Sequence, residues 1–322
     1  MVLKAILGLA IGIPFGYLLQ RGRYCMNTAF QDLLIARDVT ILRTFAAAVG
    51  VQLVLVNLLG QLGIIKLSMP PFFWLAALVG GFIFGIGAAL AGGCSSGSCY
   101  RIGEGLVGSF FAVVAFAIGV SATDTGILRW GRDLLRASRM ESASISSLLG
   151  VDPWVVIAVL TVAIAWWLTR RQGKRFIFDN RLIKYGLALG VVGTVAWLAS
   201  SAVGRSFGIS VVQPLGSIMG LVAAGDIRGI GFGTFAIIGL VLGSFISAKR
   251  KKEFSWRAPG PRSLMQQFGG GLLMGFGGAT AGGCTVGHGL TGVPILSATS
   301  WLAMVSIMLG IWTTAYIRFK GM

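Results

Sequence analysis

The chain has 322 residues, of which 55% are hydrophobic and 11% are charged. A soluble protein carries about 25% charged residues. A mean hydropathy of +0.84 therefore excludes a soluble enzyme, a disordered protein and a nucleic-acid-binding protein, even at a net charge of +17. The composition predicts an all-α polytopic membrane protein in a lipid bilayer, and its 49 glycines favour close helix packing. With four cysteines and one histidine, we expect no disulfide framework, no metal site and no cofactor.

A membrane-crossing helix needs about 20 mainly apolar residues. Nine stretches fit, with ends good to a few residues: 3–20, 41–65, 72–92, 105–122, 153–169, 184–203, 229–247, 264–282 and 296–317. Assigning the connections alternately to the two sides places 19 basic residues on one side and 8 on the other. The positive-inside rule makes the richer side cytoplasmic, so we expect the N-terminus outside and the C-terminus inside. The first twenty residues lack a cleavage site and are interpreted as the first span.

A glycine-rich segment occurs twice. Residues 80–97 match 270–287 at ten of 18 positions, including an Ala-Gly-Gly-Cys sequence that ends at Cys94 and at Cys284. The first span also resembles the sixth, and because five spans separate each pair, equivalent helices are expected to run in opposite directions. Such inverted repeats recur in transporters. This predicts a first repeat at 1–122, a linker with one span at 123–183, and a second repeat at 184–322.

In each half, Ala-Gly-Gly-Cys ends an apolar span and begins a polar, glycine-rich segment. Irregular polar backbone at membrane depth is tolerated only where it is buried or lines a wet cavity, so we expect re-entrant segments at 93–104 and 283–290. The amides around Gly93, Cys94, Gly283 and Cys284 would then form anion-binding helix N-termini. The alternative is that the glycines only permit close helix crossing and the cysteines are small buried hydrophobic residues.

Cys25 is a third candidate thiol, in Gly22-Arg23-Tyr24-Cys25 after the first span. Its repeat counterpart is about Phe207, so the duplication does not impose this cysteine. Cys99 lies five residues after Cys94 and has no repeat partner.

Charged candidates flank these segments. Glu104 and His288 occupy equivalent positions in two Gly-x-Gly-Leu-x-Gly motifs, and an ionisable residue in a membrane segment is a functional hypothesis by default. Either residue could instead be solvated at the interface. Arg23, Arg101 and Arg205 could attract an anion, with membrane topology as the competing explanation.

The paired Ala-Gly-Gly-Cys segments, the Gly-Arg-x-Cys at Cys25 and the duplicated glycine-rich frame resemble the YeeE/YedE-like sulphur transport proteins of bacterial inner membranes. The resemblance covers essentially the whole chain. It implies import of thiosulfate, with three thiols along a narrow central path that correspond to Cys25, Cys94 and Cys284. It also implies a cytoplasmic partner, a small sulphur-carrier protein of the TusA type.

Two functions remain open at this point. The first is a non-enzymatic importer of a sulphur-containing oxyanion, in which neutral thiols act as weak donors; the absence of a Walker motif argues against ATP as its energy source. The alternative is a membrane-embedded thiol oxidoreductase or sulfurtransferase that cycles Cys94 and Cys99. Such an enzyme needs an activated thiol and an adjacent base, and only His288 and Glu104 are available.

Overall fold

The computed structural model describes residues 1–140, 143–170 and 180–320, so parts of the predicted linker, 141–142 and 171–179, lie outside the described residues. The helices are α1 (Val2–Arg21), α2 (Met26–Ile35), α3 (Thr40–Gln61), α4 (Trp74–Ala91), α5 (Ser95–Gly103), α6 (Val107–Asp124), α7 (Arg129–Arg136), α8 (Ile145–Leu149), α9 (Pro153–Thr169), α10 (Asn180–Ala202), α11 (Val212–Ala224), α12 (Phe232–Arg250), α13 (Pro261–Ala281) and α14 (Ala298–Lys320). A π-helical turn covers Gly287–Gly292. Two short strands, β1 (Phe72–Phe73) and β2 (Arg139–Met140), pair antiparallel.

Seven stretches of the described chain are long and apolar enough to cross a membrane. They contain α1, α3, α4, α6, α10, α12 and α14. This confirms the prediction of an all-α, multi-pass membrane protein. The other two predicted spans are also helices: α9 has 17 residues, and α13 has 21 but carries Arg262, Gln266 and Gln267 in its first two turns. The total of nine spans stays a prediction.

The centre of the bundle is the contact between α4 and α13. A Cβ atom at Gly80 would lie 2.9 Å from the carbonyl oxygen of Gly277, and one at Gly87 would lie 2.6 Å from that of Gly270. A side chain at these positions would force the backbones apart, so glycine permits the close approach. Because the later residue of α4 meets the earlier residue of α13, the two helices run antiparallel, as the repeat predicts. Gly270 and Gly277 are the repeat equivalents of Gly80 and Gly87, so the contact has two-fold symmetry.

Each of the remaining long helices packs against a helix of the other half. α1 packs against α12 and α10 against α3, while α6 packs against α13 and α14 against α4. A Cβ atom at Gly8 would lie 2.6 Å from the Phe232 carbonyl oxygen, and one at Gly190 would lie 2.8 Å from that of Ala48. Equivalent helices thus make equivalent contacts, each with a helix of the other half. The two halves interlock through glycine-lined backbone contacts.

Two short helices that the sequence analysis does not anticipate follow the first helix of each half. α2 has 10 residues and follows α1, and α11 has 13 residues and follows α10. Each packs against the next long helix of its own half, α3 and α12 respectively. Their positions matter because α2 begins directly after Cys25.

Candidate functional site

Each of the three predicted cysteines lies directly before a helical segment. Cys25 precedes α2, Cys94 precedes α5, and the helical segment that contains the π-helical turn starts just after Cys284. The carbonyl oxygens of the three cysteines accept the first intrahelical hydrogen bonds, from Ala29 at 2.9 Å, Ser98 at 2.7 Å and His288 at 2.8 Å. The first amides of a helix have no carbonyl partner within it and favour nearby negative charge. Each thiol is therefore placed beside a group of backbone donors.

Cys25 and Cys94 come together although 69 positions separate them. Their sulphur atoms lie 3.8 Å apart in the buried core, and the Cys94 sulphur also lies 3.5 Å from Ser96 Oγ. A Cβ atom at Gly97 would lie 2.7 Å from the Cys25 sulphur and 3.2 Å from the Cys94 sulphur. Gly97 therefore leaves the space that the two thiols occupy. Gly97 has no distinguishing signal in the sequence, because its role depends on a contact between distant segments.

Cys284 lies in the equivalent segment of the second half, where its sulphur accepts a hydrogen bond from the Gly287 amide at 3.5 Å. The side chain of the next residue, Thr285, faces the Cys94 thiol of the first half. Its hydroxyl is buried and without a hydrogen-bond partner in the described chain, and so is that of Ser95, its repeat equivalent. Buried hydroxyls normally have partners, so these two are candidate donors to a passing ligand. The fourth cysteine, Cys99, is fully buried within α5.

The first glycine of each Ala-Gly-Gly-Cys sequence makes the turn into the cysteine segment. The left-handed residues are Gly92, with φ of 74°, and Gly282, with φ of 85°; this conformation strongly favours glycine. The amides of Gly93 and Gly283 are already bonded, to the carbonyl oxygens of Ala88 and Gly278. The ends of α4 and α13 use these two amides as C-caps, so the expected anion-binding amides are those that follow Cys94 and Cys284, and their role stays a prediction.

Gly93 and Gly283 instead leave space for polar side chains. A Cβ atom at Gly93 would lie 3.0 Å from the Arg101 guanidinium, and one at Gly283 would lie 2.9 Å from Nε2 of His288. Arg101 donates to the carbonyl oxygen of Gly92 at the end of α4. A guanidinium at a helix C-terminus compensates the partial negative charge of the free carbonyls there.

The end of α13 is compensated in the same way. Arg136 from α7 donates to the carbonyl oxygens of Ala279 at 2.8 Å and of Thr280 at 3.1 Å. These carbonyls would otherwise repel an anion that approaches the neighbouring cysteine segment.

Arg23 and Glu104 bind each other rather than joining the thiols. The Arg23 guanidinium lies 3.1 Å from the Glu104 carboxylate and 3.0 Å from that of Glu253, and Gln20 donates to both carboxylates, at 3.1 and 2.8 Å. Glu104 follows the last residue of α5, about 15 Å along that helix from Cys94. The four residues form an ion-pair network at one end of the bundle. Sequence reasoning missed it because α1, α5 and α12 each contribute to it.

The structure also changes which residue of the first half is equivalent to His288. His288 lies four residues after Cys284 and packs over Gly283, and Ser98 lies four residues after Cys94 and packs over Gly93. The structural counterpart of His288 is therefore Ser98 and not Glu104. The first half has six more residues than the second between its cysteine and the Gly-x-Gly-Leu-x-Gly motif, and they follow Ser98.

The counterpart of Cys25 changes as well. Ser210 is the side chain nearest to Gly287, as Cys25 is to Gly97, so it replaces Phe207 as the spatial equivalent. The reason is that the connection between α10 and α11 is longer than that between α1 and α2.

Two cavities lie at the two turns. One of about 440 Å³, here called the His288 cavity, is lined by Gly282, His288, Ser210, Arg136 and Arg205, among others. The other, of about 250 Å³, is here called the Arg101 cavity and is lined by Gly92, Arg101 and Arg257. No carboxylate lines either cavity in the described residues.

The two cavities lie at different levels of the bundle. The amide nitrogen of Ala281 lies 2.7 Å from the Cβ position of Gly80. Ala91 is eleven residues further along α4, or about 16 Å. The cysteine segments therefore begin at points separated by roughly half of a ~30 Å hydrocarbon layer.

Comparison with known proteins agrees with this architecture. A family model described as sulphur transport matches residues 21–313. The chain is 32% identical over 330 residues to the thiosulfate transporter TsuA of Escherichia coli strain K12, covering 97% of this chain and 94% of that one. It is 36% identical over 330 residues to the thiosulfate transporter TsuA of Spirochaeta thermophila, covering 97% and 98%. A probable transporter YedE of Salmonella typhimurium matches a shorter part, 34% identical over 117 residues and 35% of this chain. With nearly the whole chain matched, this protein belongs to the sulphur transport family.

Proposed function

We propose that the protein imports thiosulfate across the bacterial inner membrane without converting it chemically. The observation that carries the proposal is the buried pair of thiols, Cys25 and Cys94, in a bundle whose two cavities at the Gly92 and Gly282 turns are lined by arginines and lack carboxylates among the described residues. The names of the two relatives that match over nearly their full length support thiosulfate as the ion.

The proposed path begins in the His288 cavity. Arg136 and Arg205 line it and raise the local concentration of an anion. From there the ion passes Cys284 and Thr285, reaches Cys94 and Cys25, and leaves through the Arg101 cavity. Gly93 and Gly283 serve the path indirectly, because they leave space for the side chains of Arg101 and His288.

The chemistry along this path is hydrogen bonding to an ion that has lost most of its water. Neutral thiols are weak donors, and their polarizable sulphur suits the terminal sulphur of thiosulfate. The hydroxyls of Ser95 and Thr285, which have no partner among the described residues, would serve the sulfonate oxygens. A bond to a charged group contributes about 1.5–3 kcal/mol, so a few such donors offset part of the cost of desolvation.

The orientation in the membrane belongs to the same proposal. Arg136 and Arg205 are on the side with few basic residues, whereas Arg101 and Arg257 are on the richer side. The His288 cavity then faces outward and the Arg101 cavity faces the cytoplasm, with the N-terminus outside and the C-terminus inside.

The repeat boundaries at 1–122, 123–183 and 184–322 and the re-entrant segments at 93–104 and 283–290 remain part of this proposal. The two-fold contact of α4 and α13 supports them. A TusA-like carrier protein would meet the cytoplasmic side, where Lys249, Lys252 and Arg257 are exposed and suit an acidic partner.

Uptake of labelled thiosulfate into proteoliposomes that contain the purified protein tests the function. We expect accumulation of intact thiosulfate that unlabelled thiosulfate suppresses more strongly than sulfate or sulfite does. Conversion of thiosulfate without accumulation would instead favour the oxidoreductase. In that case the contact observed between Cys25 and Cys94, and not the expected pair Cys94 and Cys99, would be the reactive one.

A further inference from the structure

The imidazole of His288 is incompletely bonded. The residue is 5% exposed and lines the His288 cavity. Its Nδ1 lies 3.1 Å from Ser300 Oγ, whereas Nε2 is buried and makes no hydrogen bond of good geometry with the described residues, with the Ala281 carbonyl as the nearby backbone acceptor. A buried polar atom without a partner costs free energy, so this nitrogen marks a position where a ligand atom would be stabilised.

The neighbouring backbone keeps the space beside Nε2 free of side chains. A Cβ atom at Gly283 would lie 2.9 Å from Nε2, so any other residue would fill this space. The Nδ1 contact also suits a charged ring, because Ser300 Oγ accepts a hydrogen bond from Nδ1–H as readily as it donates one to an unprotonated Nδ1. A protonated His288 would therefore have one N–H bonded to Ser300 and the other directed to an anion.

The surrounding charges make protonation depend on the ligand. Arg136 from α7 and Arg205 from the α10–α11 connection line the same cavity. Of the other elements around the ring, α14 contributes Ser300 and the end of α13 contributes the Ala281 carbonyl. No carboxylate lines the cavity within the described ranges. Two guanidinium groups disfavour a third positive charge, and a bound dianion reverses that balance.

We propose that His288 is a substrate-binding residue that takes up a proton when thiosulfate binds in the His288 cavity. The inference rests on the proposed function. The proton comes from the water on the cavity side and is held at Nε2, which donates to an oxygen of the anion. Since the complex binds more protons than the free protein, affinity rises as the pH falls. The counterpart in the first half is Ser98, which does not titrate near neutral pH, so the effect belongs to the outward cavity alone.

Titration calorimetry of the purified full-length protein with thiosulfate measures this uptake directly. Repeating the titration at one pH in buffers of different ionisation enthalpy gives the number of protons bound per ion. For the wild type we expect uptake approaching one proton, and an affinity that rises between pH 8 and pH 6 by at most about tenfold per unit. Thiosulfate itself stays a dianion over this range.

The variant His288→Gln keeps an amide donor in place of the ring but does not titrate. We expect it to bind thiosulfate with no proton uptake and with an affinity independent of pH. Arg205→Gln is the matched control, because it removes a charge from the same cavity and should weaken binding while proton uptake persists. Proton uptake that is absent in the wild type, retained in His288→Gln, or lost in Arg205→Gln while binding remains would overturn the inference. A wild type that does not bind thiosulfate would count against the proposed function instead.

Discussion

At the scale of single residues, the proposed path depends on small donors that are buried and close to backbone amides. Cys25, Cys94 and Cys284 are 0–1% exposed, and each lies at the start of a helical segment. A thiol at such a position is packed tightly within the protein. Its removal therefore takes away a donor without opening a new route for water.

Alanine at Cys25, Cys94 or Cys284 should slow thiosulfate uptake about ten- to a hundredfold. The desolvated ion loses a donor worth about 1.5–3 kcal/mol, and every 1.4 kcal/mol in a barrier is a factor of ten in rate. Serine should restore only part of the rate, because its hydroxyl is less polarizable and shorter. Initial uptake rates at matched protein levels provide the measurement. Cys99→Ala is the control, and strong loss in this variant together with normal uptake in Cys284→Ala would contradict the path.

Joining the two neighbouring sulphurs should close the path. Cys25 and Cys94 are 3.8 Å apart, so a small backbone shift brings them to the 2.05 Å of a disulfide. We expect a copper–phenanthroline oxidant to abolish uptake and dithiothreitol to restore it. Cys25→Ser should be insensitive to the oxidant in its residual uptake, whereas Cys99→Ala should respond like the wild type. Equal inhibition of Cys25→Ser would show that another group is oxidised.

At the scale of helices, adjacent glycines in α13 have opposite roles. A Cβ atom at Gly270 would lie 2.7 Å from the Gly87 carbonyl oxygen, whereas one at Gly269 meets no atom within 4 Å. Gly270→Ala should therefore lower the midpoint of thermal unfolding in detergent. The reason is that overpacking costs about 1–3 kcal/mol of folding free energy. Gly269→Ala should leave the midpoint unchanged or raise it slightly, since alanine is favoured over glycine in a helix by about 0.5–1 kcal/mol. Equal midpoints for the two variants would mean that the contact of α4 and α13 is loose.

The sequence predicts the long helices and their repeat, because apolar length and matched glycines are local signals. It does not predict α2 or α11, which are short. The sequence also does not show which glycine of Ala-Gly-Gly-Cys turns the chain, because the motif does not distinguish between its two glycines. The geometry shows that the first glycine turns the chain and the second leaves space for a side chain. The contact of Cys25 with Cys94, and the network of Arg23 with Glu104, join distant segments and have no local signal.

At the scale of the whole molecule, chemical labelling from each side of the membrane tests the proposed orientation. The variant Lys4→Cys should react with a membrane-impermeant maleimide in intact cells, and Lys252→Cys should react only after permeabilisation. The four native thiols are buried and provide the unmodified background, which the parent protein controls. The reverse pattern would exchange the outward and inward cavities.

The interlocked halves limit how the molecule moves. Gly12 contacts the backbone of Ala236, and Gly80 that of Gly277, so a rocking motion of one half against the other would separate many backbone contacts at once. Movement restricted to the cysteine segments and nearby side chains breaks few of them. A narrow, fixed path that opens locally therefore fits this fold better than alternating rotation of two rigid halves.

The exchange of helices also affects how the protein is made. α1 packs against α12, and its glycine Gly8 lies against Phe232, which the ribosome adds more than 200 residues later. Synthesis proceeds at about 5–20 residues per second. The glycine face of α1 therefore lacks its partner helix for roughly 10–45 s after α1 is made. A chain that stops after the first half would leave this face, and the face of α3 that α10 covers, permanently open to lipid. Neither half is then a stable fragment, and incomplete chains should be degraded rather than accumulate.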